Sequence, residues 1–164
     1  MLRLRPYKKR DAEQIVTWFK DERSFRQWAA YRYSTYPISE KDMNTHYEEM
    51  EENDDFFEMT AFDETGIVGH FILRFTDEKK EVIRLGFIII NGEKRGKGYG
   101  KEMLQLAVKY AFDFLKVKQV TLGVFENNSA AFSCYKAVGF KEVKRESCCM
   151  LGETWECIEM VYKQ

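Results

Sequence analysis

Apolar and polar positions alternate at the start of the chain, from Leu2 to Pro6, as a half-buried strand requires, and Pro6 closes that strand because it cannot donate to a ladder. Helical spacing then takes over. Asp11 is a plausible cap or first-turn acid ahead of an apolar stripe at Ile15, Val16, Trp18 and Phe19 that runs to Lys20. A second helical stretch covers Ser24 to Ala30, and a third opens at Ser39 and runs to Glu52. Phe56 to Phe62, Ile67 to Thr76 and Val82 to Ile90 read as strands. The turns Asp63-Glu64-Thr65-Gly66 and Asp77-Glu78-Lys79-Lys80 separate them and predict an antiparallel meander. From Gly100 to Leu115 a long amphipathic helix places Met103, Leu104, Ala107, Ala111, Phe114 and Leu115 on one buried side. Val120 to Phe125 is the next strand and Ser129 to Val138 the next helix, and Phe140 to Cys149 closes as a hairpin with Thr154 to Tyr162. The strand–helix–strand crossover through the long helix makes Val82–Ile90 and Val120–Phe125 parallel.

Composition adds limits. At 164 residues with no linker, positions 1–164 read as a single domain. A hydrophobic fraction of 45% and 26 basic against 27 acidic residues predict neither disorder nor a surface that coats nucleic acid. The N-terminus lacks the apolar core of a signal peptide and no run reaches the length of a membrane span, so a cytoplasmic protein without a membrane partner is expected. Cys134, Cys148, Cys149 and Cys157 match no zinc spacing and read as free thiols; no metal is expected. The acidic run from Glu48 to Glu58 reads as a solvated face and turn.

The most informative stretch is Ile88 to Lys101, in which a β-branched strand empties into a basic, glycine-spaced turn that opens the long helix. Glycines allow a sharp turn and close approach to a ligand. The first amides of a helix lack internal partners, and the positive end of its dipole favours an anion. Arg95, Lys97 and Lys101 add formal charge, so the stretch reads as a pyrophosphate cradle. Gly98 is followed by Tyr99 rather than by Lys and a hydroxyl residue, which argues against a nucleoside triphosphatase; the G-x-G-x-G order argues against a dinucleotide fold.

Arg95-x-x-Gly98-x-Gly100 resembles the acetyl-CoA loop of the general N-acetyltransferase (GNAT) superfamily, and Asn128-x-x-Ala131-x-x-x-Tyr135-x-x-x-Gly139-Phe140 is similar to the other half of that family's cofactor site. The resemblance is close over 84–140. It implies an α+β, three-layer fold: a mixed, mostly antiparallel sheet of about six to seven strands with a splayed parallel pair, flanked by about four helices. It also implies an acetyl-CoA-dependent enzyme acting on a primary amine of a small molecule or of a peptide or protein N-terminus, without a metal or a covalent enzyme intermediate. A cofactor-sensing module without catalysis is the alternative, and pairing into a homodimer stays open.

By the same resemblance, main-chain groups of Ile88 and Ile90 bind the pantetheine arm. Arg95, Gly96, Lys97, Gly98, Tyr99, Gly100 and Lys101 surround the diphosphate, Asn128 caps a helix and contacts the arm, and Tyr135 protonates the leaving thiolate. Many members carry a glutamate base two residues before a Gly-aromatic pair; here Arg84 precedes Gly86-Phe87. Glu81, Glu126, His70 and His46 remain as candidate bases, alongside a water or no dedicated base. The acceptor pocket is expected among Trp28, Tyr31, Tyr33, Tyr36 and Trp155, which serve equally well as core. Leu4-Arg5-Pro6, the tryptophan in the first helix and Gly152-Glu153-Thr154-Trp155 resemble the branch of ribosomal-protein N-terminal and polyamine acetyltransferases.

Overall fold

A computed structural model describes all 164 residues. Seven strands, β1 (Arg3–Pro6), β2 (Phe56–Asp63), β3 (Gly66–Phe75), β4 (Val82–Ile90), β5 (Gln119–Phe125), β6 (Lys141–Met150) and β7 (Glu153–Lys163), form one sheet in the order β1-β2-β3-β4-β5-β7-β6. The predicted meander and hairpin are present, and β4 and β5 are the one parallel pair.

Five helices flank the sheet: α1 (Ala12–Ile15), α2 (Glu22–Ala29), α3 (Glu40–Glu49), α4 (Tyr99–Asp113) and α5 (Ser129–Val138). Ser39 caps α3 as expected, its Oγ accepting from the Asp42 amide at 3.0 Å. In the same way Asp21 caps α2, accepting from the Ser24 amide at 2.7 Å. The first helix departs from expectation, ending at Ile15 instead of Lys20. The segment Val16-Thr17-Trp18-Phe19 is β-branched or aromatic throughout and loses side-chain freedom in a helix, so tertiary packing decides its path. Asp11 does not cap it. Its buried carboxylate accepts from both terminal nitrogens of Arg5 at 2.8 Å, from the Lys8 amide at 2.9 Å and from the Thr60 hydroxyl at 2.8 Å, tying β1 to β2.

Two cores sit on opposite faces of the sheet. One joins α4 and α5 to alternate residues such as Leu73, Ile83, Leu85, Leu122 and Ile158; the other joins α1, α2 and α3 to Ile72, Phe87 and Ile89. Met103, Leu104, Ala107 and Ala111 of α4 are buried as predicted, each large side chain contributing about 1.5–3 kcal/mol. Phe114 is not: the helix ends at Asp113, and Phe114 is 73% exposed, stacked outside on Tyr110. Close seating of α4 depends on Gly69 of β3, where a Cβ would come within 2.6 Å of Met103 Sδ and 3.0 Å of the Ile89 carbonyl.

Candidate active site

The parallel pairing of β4 and β5 is short. It holds at Val82–Gln119, Ile83–Val120 and Arg84–Thr121, and beyond those positions the strands part. From Leu85 to Ile90 the edge of β4 that faces β5 therefore carries main-chain groups without a strand partner, and Ile88 and Ile90 lie on it. A bulge sharpens the opening. The β3–β4 register shifts between His70 and Ile72, and Phe87 sits at φ 48°, a left-handed value that few side chains adopt. Such strain next to a cleft re-aims the backbone toward a ligand.

At the far end of β4 the chain makes a single 3₁₀ turn, Gly92–Lys94, which the sequence pattern did not suggest, and then enters α4. Gly96 and Gly98 have φ of 76° and 85°, and a Cβ on either would meet nothing within 4 Å, so the space before the helix is open. No side chain caps α4, and its first helical bond runs from the Glu102 amide to the Gly98 carbonyl. The preceding amides are free for an anion. Lys97 and Lys101 are exposed around this mouth.

Arg95 and Tyr99 have partners of their own. Arg95 donates through Nε to the Ile90 carbonyl at 3.2 Å and through Nη2 to the Trp18 carbonyl at 3.1 Å, while Tyr99 donates its hydroxyl to Asp63 at 3.0 Å. These contacts pin the loop to β4, to the unwound end of α1 and to the β2–β3 turn. A diphosphate fits this cradle: open glycine positions, unpaired helix amides and the free donors of Arg95, Lys97 and Lys101.

Asn128 stands at the start of α5, but its side chain makes no capping bond, which corrects the expected capping role and leaves its amide free. Tyr135, two helix turns on, lies buried on the α4–α5 side of the sheet in the same core as Leu85 and Val124. Its hydroxyl has no hydrogen-bond partner within the protein, and burial pushes its pKa above the usual phenol value. Beside it, burial also raises the Cys134 thiol, and Cys148 and Cys157 are raised for the same first reason. None of these three offers a thiolate at neutral pH.

On the other face of the gap lies a cavity of about 700 Å³, within the usual range for small-ligand sites. Leu85, Gly86 and Phe87 of β4 and Gly123, Val124 and Phe125 of β5 line it, so it reaches through the splay. Trp28 and Tyr31 line its α2 side. Tyr33 and Tyr36 instead belong to the aromatic stack around Phe25, and Trp155 packs on Phe125.

The candidate bases separate cleanly. Glu81 is paired with Lys118 at 3.1 Å and Glu126 with Arg145 at 2.9 Å, and neither lines the cavity. His70 is fully buried beside Tyr47, whose hydroxyl lies 2.6 Å from Nε2, and burial drops its pKa to about 3. His46 alone of the four lines the cavity, edge-on to Phe87 at 5.7 Å. Burial lowers its pKa, with Arg32 adding to the effect and Glu49 opposing it, so the imidazole is neutral at pH 7.

Arg84 reaches across β5, its two terminal nitrogens forked onto Glu159 of β7, with Nη2 3.1 Å from Oε2. The glycine at 123 leaves room for this fork, because a Cβ there would stand 2.8 Å from Arg84 Nη2 and the guanidinium would have to shift. Sequence reasoning placed no role on Arg32, Arg74, Gly123 or Glu159. The alternation of β3 and β4 about the Asp77–Lys80 turn was the signal that puts Arg74 opposite Arg84.

A mixed sheet whose only parallel pair splays between a phosphate-ready helix mouth and a small-molecule cavity defines the acyl-CoA N-acyltransferase class. The chain belongs to the GNAT acetyltransferase family: residues 1–141 match the family model described as "Acetyltransferase (GNAT) domain". Spermidine N-acetyltransferase from Vibrio cholerae, solved in complex with CoA and spermine, shares the fold at a TM-score of 0.84 and 20% identity, over 99% of this chain and 95% of that one. Spermine/spermidine N(1)-acetyltransferase of Bacillus subtilis is 34% identical over 65 residues, a match that spans 40% of this chain and 43% of that enzyme's own length. An N-acetyltransferase 9-like protein of Caenorhabditis briggsae is 28% identical over 151 residues, 87% of this chain and 75% of that protein. No helix is long and apolar enough to cross a membrane.

Proposed function

We propose that this protein transfers the acetyl group of acetyl-CoA directly to the primary amine of a small molecule. The observation that carries the reading is the gap beyond Arg84–Thr121, with free helix amides on one side of it and a small-molecule cavity on the other. The diphosphate is held by the α4 amides, Gly96, Gly98 and the lysines, and the open edge of β4 at Ile88 and Ile90 pairs with the pantetheine amides as an added strand would. Asn128 contributes its free amide to the arm.

In the transfer the amine nitrogen forms a bond to the thioester carbon and the C–S bond breaks. The amine proton leaves to His46, whose neutral imidazole lines the acceptor cavity, and the sulfur takes a proton from Tyr135, whose hydroxyl has no competing partner. Main-chain amides at the Phe87 bulge face the carbonyl oxygen as charge builds on it. Protonated cysteines around the gap support a single direct step without an acyl-enzyme.

The test is release of free CoA from acetyl-CoA in the presence of a panel of primary amines, spermidine and spermine among them. Amine-dependent release is expected. Tight acetyl-CoA binding with no release from any amine would sink the reading and favour the cofactor-sensing alternative.

A further inference from the structure

The acceptor cavity is lined by donors. Arg74 of β3 and Arg84 of β4 are direct cross-strand partners, a like-charge pairing that costs stability in a sheet. Arg32, on the turn after α2, stands over the Phe87 ring at 5.8 Å, at the mouth where solvent still reaches it. All three line the cavity. Only Arg84 has a carboxylate partner, Glu159; Arg32 and Arg74 make no ion pair. The two carboxylates that do line the cavity are taken, Asp55 by Lys80 at 3.1 Å and Glu146 by Lys144 at 3.0 Å. A further donor waits beside them. The indole Nε1–H of Trp28, itself a lining residue and only 9% exposed, is buried with no acceptor. Burial and then the charge of Arg84 lower the pKa values of both Arg32 and Arg74, with Glu159 opposing the shift at Arg74 without cancelling it.

We infer that the acceptor is a primary amine that also carries an oxyanion, a carboxylate or a phosphate, seated between Arg32 and Arg74 with its amine turned toward the gap at Phe87. The inference rests on the acetyl-transfer reading above and names the substrate class of that same cavity. An oxyanion has acceptor lone pairs for both planar guanidinium forks and for the Trp28 N–H, and it supplies Arg32 and Arg74 with the counter-charge that Glu159 gives Arg84. A protonated polyamine offers only donors and positive charge, so it meets repulsion from Arg32 and Arg74 in this cavity.

Three measurements decide it. Calorimetric titration of the CoA-saturated protein is expected to show binding of phosphoethanolamine or of α-amino acids and none of spermidine; the reverse order would overturn the inference whatever the turnover. In the CoA-release assay, matched pairs such as phosphoethanolamine against ethanolamine and glycine against methylamine should favour the anionic member. Arg74→Met and Arg32→Met should each raise KM for that member about 10- to 100-fold, leaving kcat and the KM of its neutral twin within a few-fold. Because removing one of two facing charges relieves repulsion, Arg74→Met should also raise the Tm of the ligand-free protein by about 1–4 °C. A lowered Tm with an unchanged KM would make Arg74 structural and refute the assignment. Preferred turnover of polyamines would refute it while leaving the acetyl-transfer reading intact, whereas oxyanion binding without any CoA release would do the opposite.

Discussion

Two side chains carry the proton traffic of the proposed step, and each gives a separable outcome. Tyr135→Phe removes only a hydroxyl that has no partner in the protein, so folding and acetyl-CoA affinity should hold while kcat falls about 10²- to 10⁴-fold, the range for losing a general acid. Stopped-assay kcat with calorimetric cofactor affinity on the same preparation measures both. His46 acts through its neutral form, which burial favours, so its contribution is present above its lowered pKa and disappears as pH falls through it. In His46→Gln the rate at pH 7.5 should drop about 10²-fold, and the acid limb of kcat/KM should report the acceptor amine alone instead of amine and imidazole together. A limb that keeps its full steepness would exclude His46 as the base. At this scale the sequence was legible where backbone geometry is local, as in the glycine turn ahead of α4, where Gly96 and Gly98 take left-handed φ values. It was silent where a role comes from tertiary placement: His46 and His70 look alike along the chain, yet one lines a cavity and the other is sealed in a core.

Among the elements, β4 and its exit loop decide whether cofactor binds. Gly98 combines a left-handed φ of 85° with open space beyond its Cα, so Gly98→Val both strains the turn and fills the room left for the diphosphate. Acetyl-CoA binding by calorimetry should be lost, while Tm without ligand changes far less than affinity does; unchanged affinity would contradict the placement. The meander, the crossover and the closing hairpin were all readable, because alternation and turn residues set strand register. Two element-level features were not. Helix α1 stops early because its aromatic and β-branched continuation packs as an irregular segment, and the 3₁₀ turn at Gly92–Lys94 has no periodicity to announce it.

For the whole molecule, the buried polar groups set the response to acid. His70 has its pKa pressed from an ordinary value near 6.5 to about 3, so the unfolded chain binds its proton first and stability is lost progressively as pH falls from about 6.5 toward 3. Asp11 acts lower. Burial alone would raise it, but hydrogen bonds from Arg5, Lys8 and Thr60 outweigh that and depress its pKa, so its contribution fades as pH drops below the usual carboxylate range. Tm should therefore decline from about pH 6.5 downward and steepen below about 4. In His70→Phe the upper part of that decline should flatten; a profile identical to the native one would show that His70 does not set it. The single compact sheet that couples these groups was foreseeable from length and pattern, but the pairing of Asp11 with Arg5 and Thr60 joins segments far apart in the chain and carries no local signal.

One clamp links the two substrates in time. Arg95 holds the Trp18 carbonyl, and the segment that follows Trp18 leads straight into α2, whose Trp28, with Tyr31 on the turn after the helix, lines the acceptor chamber. Filling the nucleotide end therefore stiffens the lid over the other, so the donor should bind before the amine. Product-inhibition patterns, with CoA competitive against acetyl-CoA and noncompetitive against the amine, would report that compulsory order; a random-order pattern would show the two ends to be independent.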